Sequence, residues 1–222
     1  MKKSILLFLA LLLVSLDFAH QPRVVDGSGI IQITNPEISQ AFYGELNGSP
    51  AQFEIRSDSP FELYAGITVP AVDDAKKDFS ANVSKGGSQV MFLNASSSDW
   101  AYFYEEFGGD GYYMGPEGKI NAESGTYEIA IFNPSHKGRY VLVVGEKEEF
   151  PPGETVNALL LLPTLKSRFF DKSPFEAFTS KIFLFTIGPV LAIIALLALV
   201  YWFFKVRKNE NMRTRKKPKR SG

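Results

Sequence analysis

GTYEIAIFNPSHKGRYVLVVG, residues 125–145, carries the clearest structural message in the chain. Tyr127, Ile129 and Ile131 fall on one face of an extended segment, because side chains along a strand alternate with a period of two. Tyr140, Leu142 and Val144 do the same in the next segment, and the polar Pro134-Ser135-His136-Lys137 lies between them. The spacing predicts two consecutive strands, over 125–133 and 138–145, paired as a hairpin with His136 as a solvated turn residue.

Toward the N-terminus the same pattern repeats. FELYAGITV, 61–69, sets Phe61, Leu63, Ala65, Ile67 and Val69 on one face, and Pro70, which has no N–H to donate, is expected to end the ladder. Ala81–Ser84 and Gln89–Leu93 flank Gly86-Gly87 and read as a second hairpin. Ile31 with Ile33, and Phe53 with Ile55, mark two further strands, with the turn signal Asn47-Gly48 between them. Short strands at intervals of about 8–12 residues, without a long amphipathic helix among them, predict an antiparallel, jelly-roll-like β-sandwich over residues 30–148. Residues 20–29, with Pro, Asp and two Gly and no periodicity, read as a leader.

The two Gly-x-Tyr segments resemble the closing strands of the bacterial pre-peptidase C-terminal domains. Gly125, Tyr127, Gly138, Tyr140, Leu142 and Val144 match that pattern, and the 61–69 strand is similar to an earlier strand of the family, although Glu62 stands where its alternation usually begins with Asp. The resemblance spans Gly44 to Gly145 with an inserted loop. It implies an exported jelly-roll sandwich that serves as a non-catalytic accessory module for binding or positioning, and it names no ligand.

DWAYFYEEFGGDGYYMGPEGK, 99–119, is the most unusual stretch of this region, with seven aromatic residues among five carboxylates and five glycines. One reading sends Trp100, Tyr102 and Tyr104 into the core of a strand and leaves the Gly-rich remainder as a surface loop. The other makes Trp100, Tyr102, Tyr104, Glu106, Asp110 and Tyr112 a ligand-binding set, since aromatic faces beside carboxylates suit a sugar or a cationic group. No calcium-loop spacing is present, so no metal is expected, and no cofactor motif occurs.

Beyond the sandwich, Pro151-Pro152 opens a segment of different character. Glu154–Leu162 predicts a helix that ends at Pro163. Leu165, Phe169, Phe170, Phe175 and Phe178 then interleave with Lys166, Arg168 and Lys172, so residues 149–181 read as an amphipathic stalk at the outer headgroups. The alternative packs Leu159–Leu162 back on the sandwich.

IFLFTIGPVLAIIALLALVYWFF, 182–204, is a run of 23 residues without a charge. As a helix it would be about 35 Å long against a hydrocarbon core of roughly 30 Å, which predicts one transmembrane span. Tyr201, Trp202 and Lys205 suit the headgroup level at its far end.

Cutting the chain at this span separates its charges. Residues 205–222 carry nine bases against Glu210, a net +8, whereas residues 20–180 hold 22 acids against 12 bases, a net −10. The positive-inside rule therefore predicts a type I protein of the cytoplasmic membrane, with the sandwich outside and a basic tail inside. Lys205, Arg207 and Lys208 are expected at anionic lipid headgroups, and the bases of this tail are not read as a nucleic-acid arm. Lys2 and Lys3 before the apolar 5–16 run predict a signal peptide over 1–19 cleaved near Ala19, with a retained N-terminal anchor as the alternative.

The chain has no cysteine, which excludes disulfides, zinc fingers and thiol nucleophiles and leans toward a prokaryotic surface. Its two histidines, His20 and His136, have no partner at metal or triad spacing, and no G-x-S-x-G or H-E-x-x-H motif occurs. Sequons at Asn47, Asn82 and Asn94 fall in expected turns or strand ends, open to glycosylation in a competent host. The expectation is a non-catalytic binding or scaffolding module, with membrane lipid and a protein or glycan at the cell surface as partners. The alternatives are an accessory subunit docking through stalk and span, and a hydrolase using Glu105, Glu106 and Asp110.

Overall fold

The computed structural model describes residues 20–26 and 29–215, with side chains as far as Arg207. The expected signal peptide, residues 216–222 of the tail and the Lys208 side chain lie outside the described residues.

The molecule is mainly β, two sheets face to face followed by helices. The first sheet runs, in spatial order, β1 (Gln21–Val24), β3 (Gln40–Asn47), β11 (Lys137–Val144), β5 (Phe61–Pro70), β9 (Asp110–Ala122) and β8 (Ala101–Glu105). The second runs β2 (Ile30–Ile33), β4 (Ala51–Ser57), β10 (Gly125–Phe132), β6 (Ser80–Lys85) and β7 (Ser88–Leu93). Two pairings, β1 with β3 and β2 with β4, are parallel, so the sheets are mixed rather than antiparallel throughout. The leader expected over 20–29 is in part the edge strand β1, and β3 is a further strand that the apolar alternation did not expose.

The 125–145 segment forms two strands as expected, but they do not pair with each other. β10 pairs with β4 and β6, while β11 pairs with β3 and β5 in the opposite sheet. The connection is therefore an arch from sheet to sheet, not a hairpin. Alternation tells which face of a strand is buried and says nothing about which strand lies beside it. Asn133, 1% exposed, holds the arch: its amide donates to Asp78 Oδ1 and to the Lys137 carbonyl, both at 2.9 Å, and accepts from the Lys137 N–H at 3.2 Å. His136 sits in the left-handed region (φ 47°), half-buried rather than fully solvated.

Between the sheets lies the main core. Phe53, Ile55, Ile129 and Ile131 of the second sheet meet Leu63, Ile67, Leu142 and Val144 of the first, all 1% exposed or less. Tyr140 lies against Gly44, where a Cβ would come within 2.4 Å of its ring, so a glycine is required there.

Helix α1 (Pro152–Phe169) begins with proline at its first position and buries Ala158, Leu162, Leu165, Lys166 and Phe169, a stripe at helical spacing. It does not stop at Pro163. Proline removes one helical hydrogen bond, and the packing of Leu165, Phe169 and Phe170 on Tyr43, Val141 and Val143 carries the helix past it. The helix thus packs back on the outer face of the first sheet, the second of the two readings for this segment. Arg23 clasps Glu154 at 2.8 and 2.9 Å at its start. At its end Arg139 clasps Asp171 at 2.8 and 3.0 Å and donates to the Phe169 carbonyl. After a 3₁₀ turn, Pro174–Thr179, helix α2 (Lys181–Arg215) runs through Gly188 and Pro189 and is long and apolar enough over Lys181–Arg207 to cross a membrane.

Candidate functional site

The 99–119 stretch is not a loop. It forms the edge strand β8, a tight turn and the 13-residue strand β9, whose glycines let the rings of Trp100 and Tyr102 pack close against it. A Cβ on Gly115 would meet the Trp100 ring at 2.6 Å, and one on Gly111 would meet Tyr102 at 2.7 Å. Trp100 is buried, adopts φ 50° and donates from its indole to the Ala95 carbonyl at 3.1 Å, so it is a packing residue. Tyr102 and Tyr104 are 61% and 51% exposed and do not enter the core. They make an aromatic strip on one face of the outermost strand, and Phe103 between them projects from the opposite face.

The turn from Glu105 to Asp110 joins the sandwich to the helices. Glu105 accepts from the N–H groups of Phe107 and Gly108 at 2.6 and 2.7 Å; burial nevertheless pushes its carboxyl above the usual range. Asp110, 3% exposed, accepts from Lys166 and Lys172, each at 2.8 Å. Lys166, 2% exposed, also donates to the Gly108 carbonyl at 2.6 Å, and Lys172 to that of Gly109 at 2.9 Å. Glu106 pairs with Lys181, and the Ile182 N–H donates to the Phe107 carbonyl at 3.1 Å. The three acids considered for hydrolysis are thus each engaged by backbone or lysine.

Of the six nominated binding residues, Tyr102 and Tyr104 share the exposed strip, and Trp100, Asp110 and Glu106 serve packing or ion pairs. Tyr112 bonds Tyr43, hydroxyl to hydroxyl, at 2.7 Å and meets Phe170 edge to face at 5.2 Å. Loss of solvent raises both phenols above their ordinary range, so both stay protonated at neutral pH.

These tyrosines line a cavity of about 420 Å³ between the outer face of the first sheet and the helices. Its floor includes Ala41, Val141 and Val143, and its roof Ala158, Leu162 and Leu165. Ile182, in the first turn of α2, closes one side. Five carboxylates and no lysine or arginine appear among its described lining residues, three of them exposed at the rim: Glu117, Glu146 and Glu148. Asp110 and Tyr112 were nominated from the sequence, but the cavity itself was not read from it. The signal available was Val141–Val144, four apolar residues in succession, which marks a strand covered on both faces.

No family model matches the chain, and no curated protein matches its sequence. Among solved structures it is similar to the pre-peptidase C-terminal domain of a Bacillus anthracis collagenase, with 9% identity and a TM-score of 0.34 over 54% of this chain and 97% of that one. It is also similar to the Yersinia pseudotuberculosis-derived mitogen, with 16% identity and a TM-score of 0.32 over 50% and 88%. A third is PliG, a periplasmic inhibitor of g-type lysozyme from Salmonella Typhimurium, with 12% identity and a TM-score of 0.30 over 56% and 98%. At this level neither ligand nor activity transfers.

Among the described residues no group of His, Cys, Asp and Glu is placed to hold a metal ion. Asn47 and Asn94 are exposed, at a strand end and at the cap of a short 3₁₀ turn. Asn82 is half-buried inside β6, between β10 and β7, and not in a turn; a glycosyltransferase needs an accessible loop, so this sequon is closed in the folded chain. Lys205 and Arg207 are exposed on α2, just beyond the uncharged 182–204 run.

Proposed function

We propose that the chain is a single-pass type I protein of the cytoplasmic membrane whose sandwich stands outside the cell as a non-catalytic binding or scaffolding module. The observation that carries this reading is the clamp at Glu105–Asp110: Lys166, Lys172 and the Ile182 amide fasten the sandwich to the start of an apolar helix. A module held this way stands at a fixed height and angle over the bilayer, which suits presentation of a surface better than a flexible tether would. The surface is the aromatic strip of Tyr102 and Tyr104, which suits a glycan or a protein edge.

The absence of native cysteine provides the test. Ser96→Cys is expected to react with a membrane-impermeant maleimide on intact cells, and Ser221→Cys only after permeabilisation. The reverse pattern would refute the orientation and with it the role.

A second reading, an accessory subunit of a membrane complex, is favoured by Val156 and Leu160 on the outward side of α1 and by Phe175 and Phe178, all exposed beside the span. Under it, crosslinking from Leu160 would capture a second membrane protein, whereas Tyr104→Ala would leave the association intact.

A further inference from the structure

The cavity under α1 is the feature that neither the clamp nor the aromatic strip accounts for. At about 420 Å³ it falls at the low end of the roughly 300–1,000 Å³ spanned by small-ligand sites. Its floor and roof are the aliphatic side chains of Ala41, Val141, Val143, Ala158, Leu162 and Leu165, which offer an apolar guest contact and no polar partner. Two of the polar lining residues are bonded to each other. Tyr43 and Tyr112 share a single hydroxyl-to-hydroxyl bond, which uses one of their two O–H protons and leaves the other available to an acceptor oxygen.

Charge narrows the guest further. No lysine or arginine lines the cavity to compensate a phosphate or a fatty carboxylate, and the nearby Lys166, Lys172 and Lys119 are engaged by Asp110 and Glu146, so the site favours an uncharged head. Position narrows it again, because Ile182 belongs both to the wall of the cavity and to the first turn of the apolar helix. If that helix crosses the bilayer as proposed above, the cavity sits at the level of the outer headgroups, where acyl chains are the most concentrated apolar solute.

We infer that the cavity binds the acyl chain of an uncharged single-chain lipid of the outer leaflet, a monoacylglycerol type of amphiphile, with the tyrosine pair donating to its ester oxygen. The volume takes one chain and not two. This inference rests on the membrane-anchored reading.

The test uses the full chain in phosphatidylcholine vesicles with a monoacylglycerol that carries a diazirine in its chain, followed by peptide mapping of the adducts. Adducts are expected on the peptides that contain Ala41–Tyr43, Val141–Val143 and Ala158–Leu165, and excess unlabelled monoacylglycerol should remove them. Ala158→Trp, which fills the roof, should cut that labelling about tenfold or more while labelling of 182–204 persists. Should the variant fail to fold, competition on the unaltered chain decides alone. Adducts confined to 182–204, adducts that excess lipid does not displace, or equal labelling by a diazirine fatty acid would each overturn the inference. Those outcomes would leave the binding-module reading standing, whereas reversal of the maleimide pattern would remove both.

Discussion

The two faces of the first sheet are built by different chemistry. Its inner face meets the second sheet through Leu63, Ile67, Leu142 and Val144, an apolar contact without a buried ion pair among the described residues. Its outer face meets α1 through Tyr43, Val141, Phe169 and Phe170, and at the border of that contact lie the Asp110–Lys166 pair, the two bonded tyrosines and the cavity. A face that only has to hold a fold can be filled with aliphatic and aromatic rings. A face that fastens a domain to a helix in one orientation gains from directional bonds, since these fail when the parts shift by an ångström or two.

This contrast predicts different responses to truncation. Phe53→Ala, at a fully buried site between the sheets, should cost about 3–5 kcal/mol, and no second truncation should restore it. Lys166→Met should cost about 3 kcal/mol or more, because it leaves the Asp110 carboxylate buried with Lys172 as its remaining lysine. Here a second change should help. Asp110→Leu together with Lys166→Met should recover most of the loss, since replacing both members of a buried pair by apolar groups is often close to neutral. Urea unfolding of the full chain in detergent, followed by circular dichroism, measures all three. Equal costs for the single and double variants would show that the outer contact is held by packing alone, like the inner one.

The same contrast explains what was legible in the sequence. Strands facing the inner core announce themselves by alternation, so 61–69, 81–84, 89–93, 125–133 and 138–145 were all readable as strands. Their partners were not, because the β10–β11 arch has the same short polar connection as a hairpin. β1 and β3 were hidden because Gln21 and Gln40 are buried polar residues and Ala41, Phe42 and Tyr43 are buried in succession, which breaks the period of two. The outer contact was least legible of all. Lys166 looks like a solvated base beside a membrane until the fold brings Asp110, 56 positions earlier, to its ammonium. Pro163 reads as a stop until Phe169 finds Tyr43. Tyr102, Asp110 and Tyr112 were nominated together as a binding set, and three-dimensional placement gave them three different settings: exposed strip, ion pair and cavity wall.

Gly115 lies where the two faces come closest to sharing a residue. A Cβ there would come within 2.6 Å of both the Ile67 carbonyl and the Trp100 ring, neither of which is the free end of a flexible chain. Gly115→Ala should therefore cost about 1–3 kcal/mol. If the strain is confined to β8, the loss will be accompanied by a change in Trp100 fluorescence in a Trp202→Phe background, with no change in protection of α1 from hydrogen exchange. Loss of α1 protection would instead show that β8 and the helix move as one unit.

The smallest effect concerns pH, and it separates the two ends of α1. At the N-terminal end the Arg23 hydrogen bonds hold the Glu154 carboxyl below its ordinary range. Its folded pKa lies under its unfolded one, so the pair contributes stability above the unfolded value of about 4.3 and loses it as pH falls through the folded value. Near the other end Glu105 behaves oppositely. Burial raises its folded pKa, so its contribution is fully present below the unfolded value and is lost as pH rises through the folded value. Glu154 is partly exposed, and its effect should stay under about 1 kcal/mol. Hydrogen exchange at pH 3 against pH 6, corrected for intrinsic rates, should therefore show the 152–157 amides opening a few-fold more readily in acid, while those of 105–110 become better protected. Parallel changes at both ends would mean that α1 and the Glu105–Asp110 turn open together, as a single lid over the cavity between them.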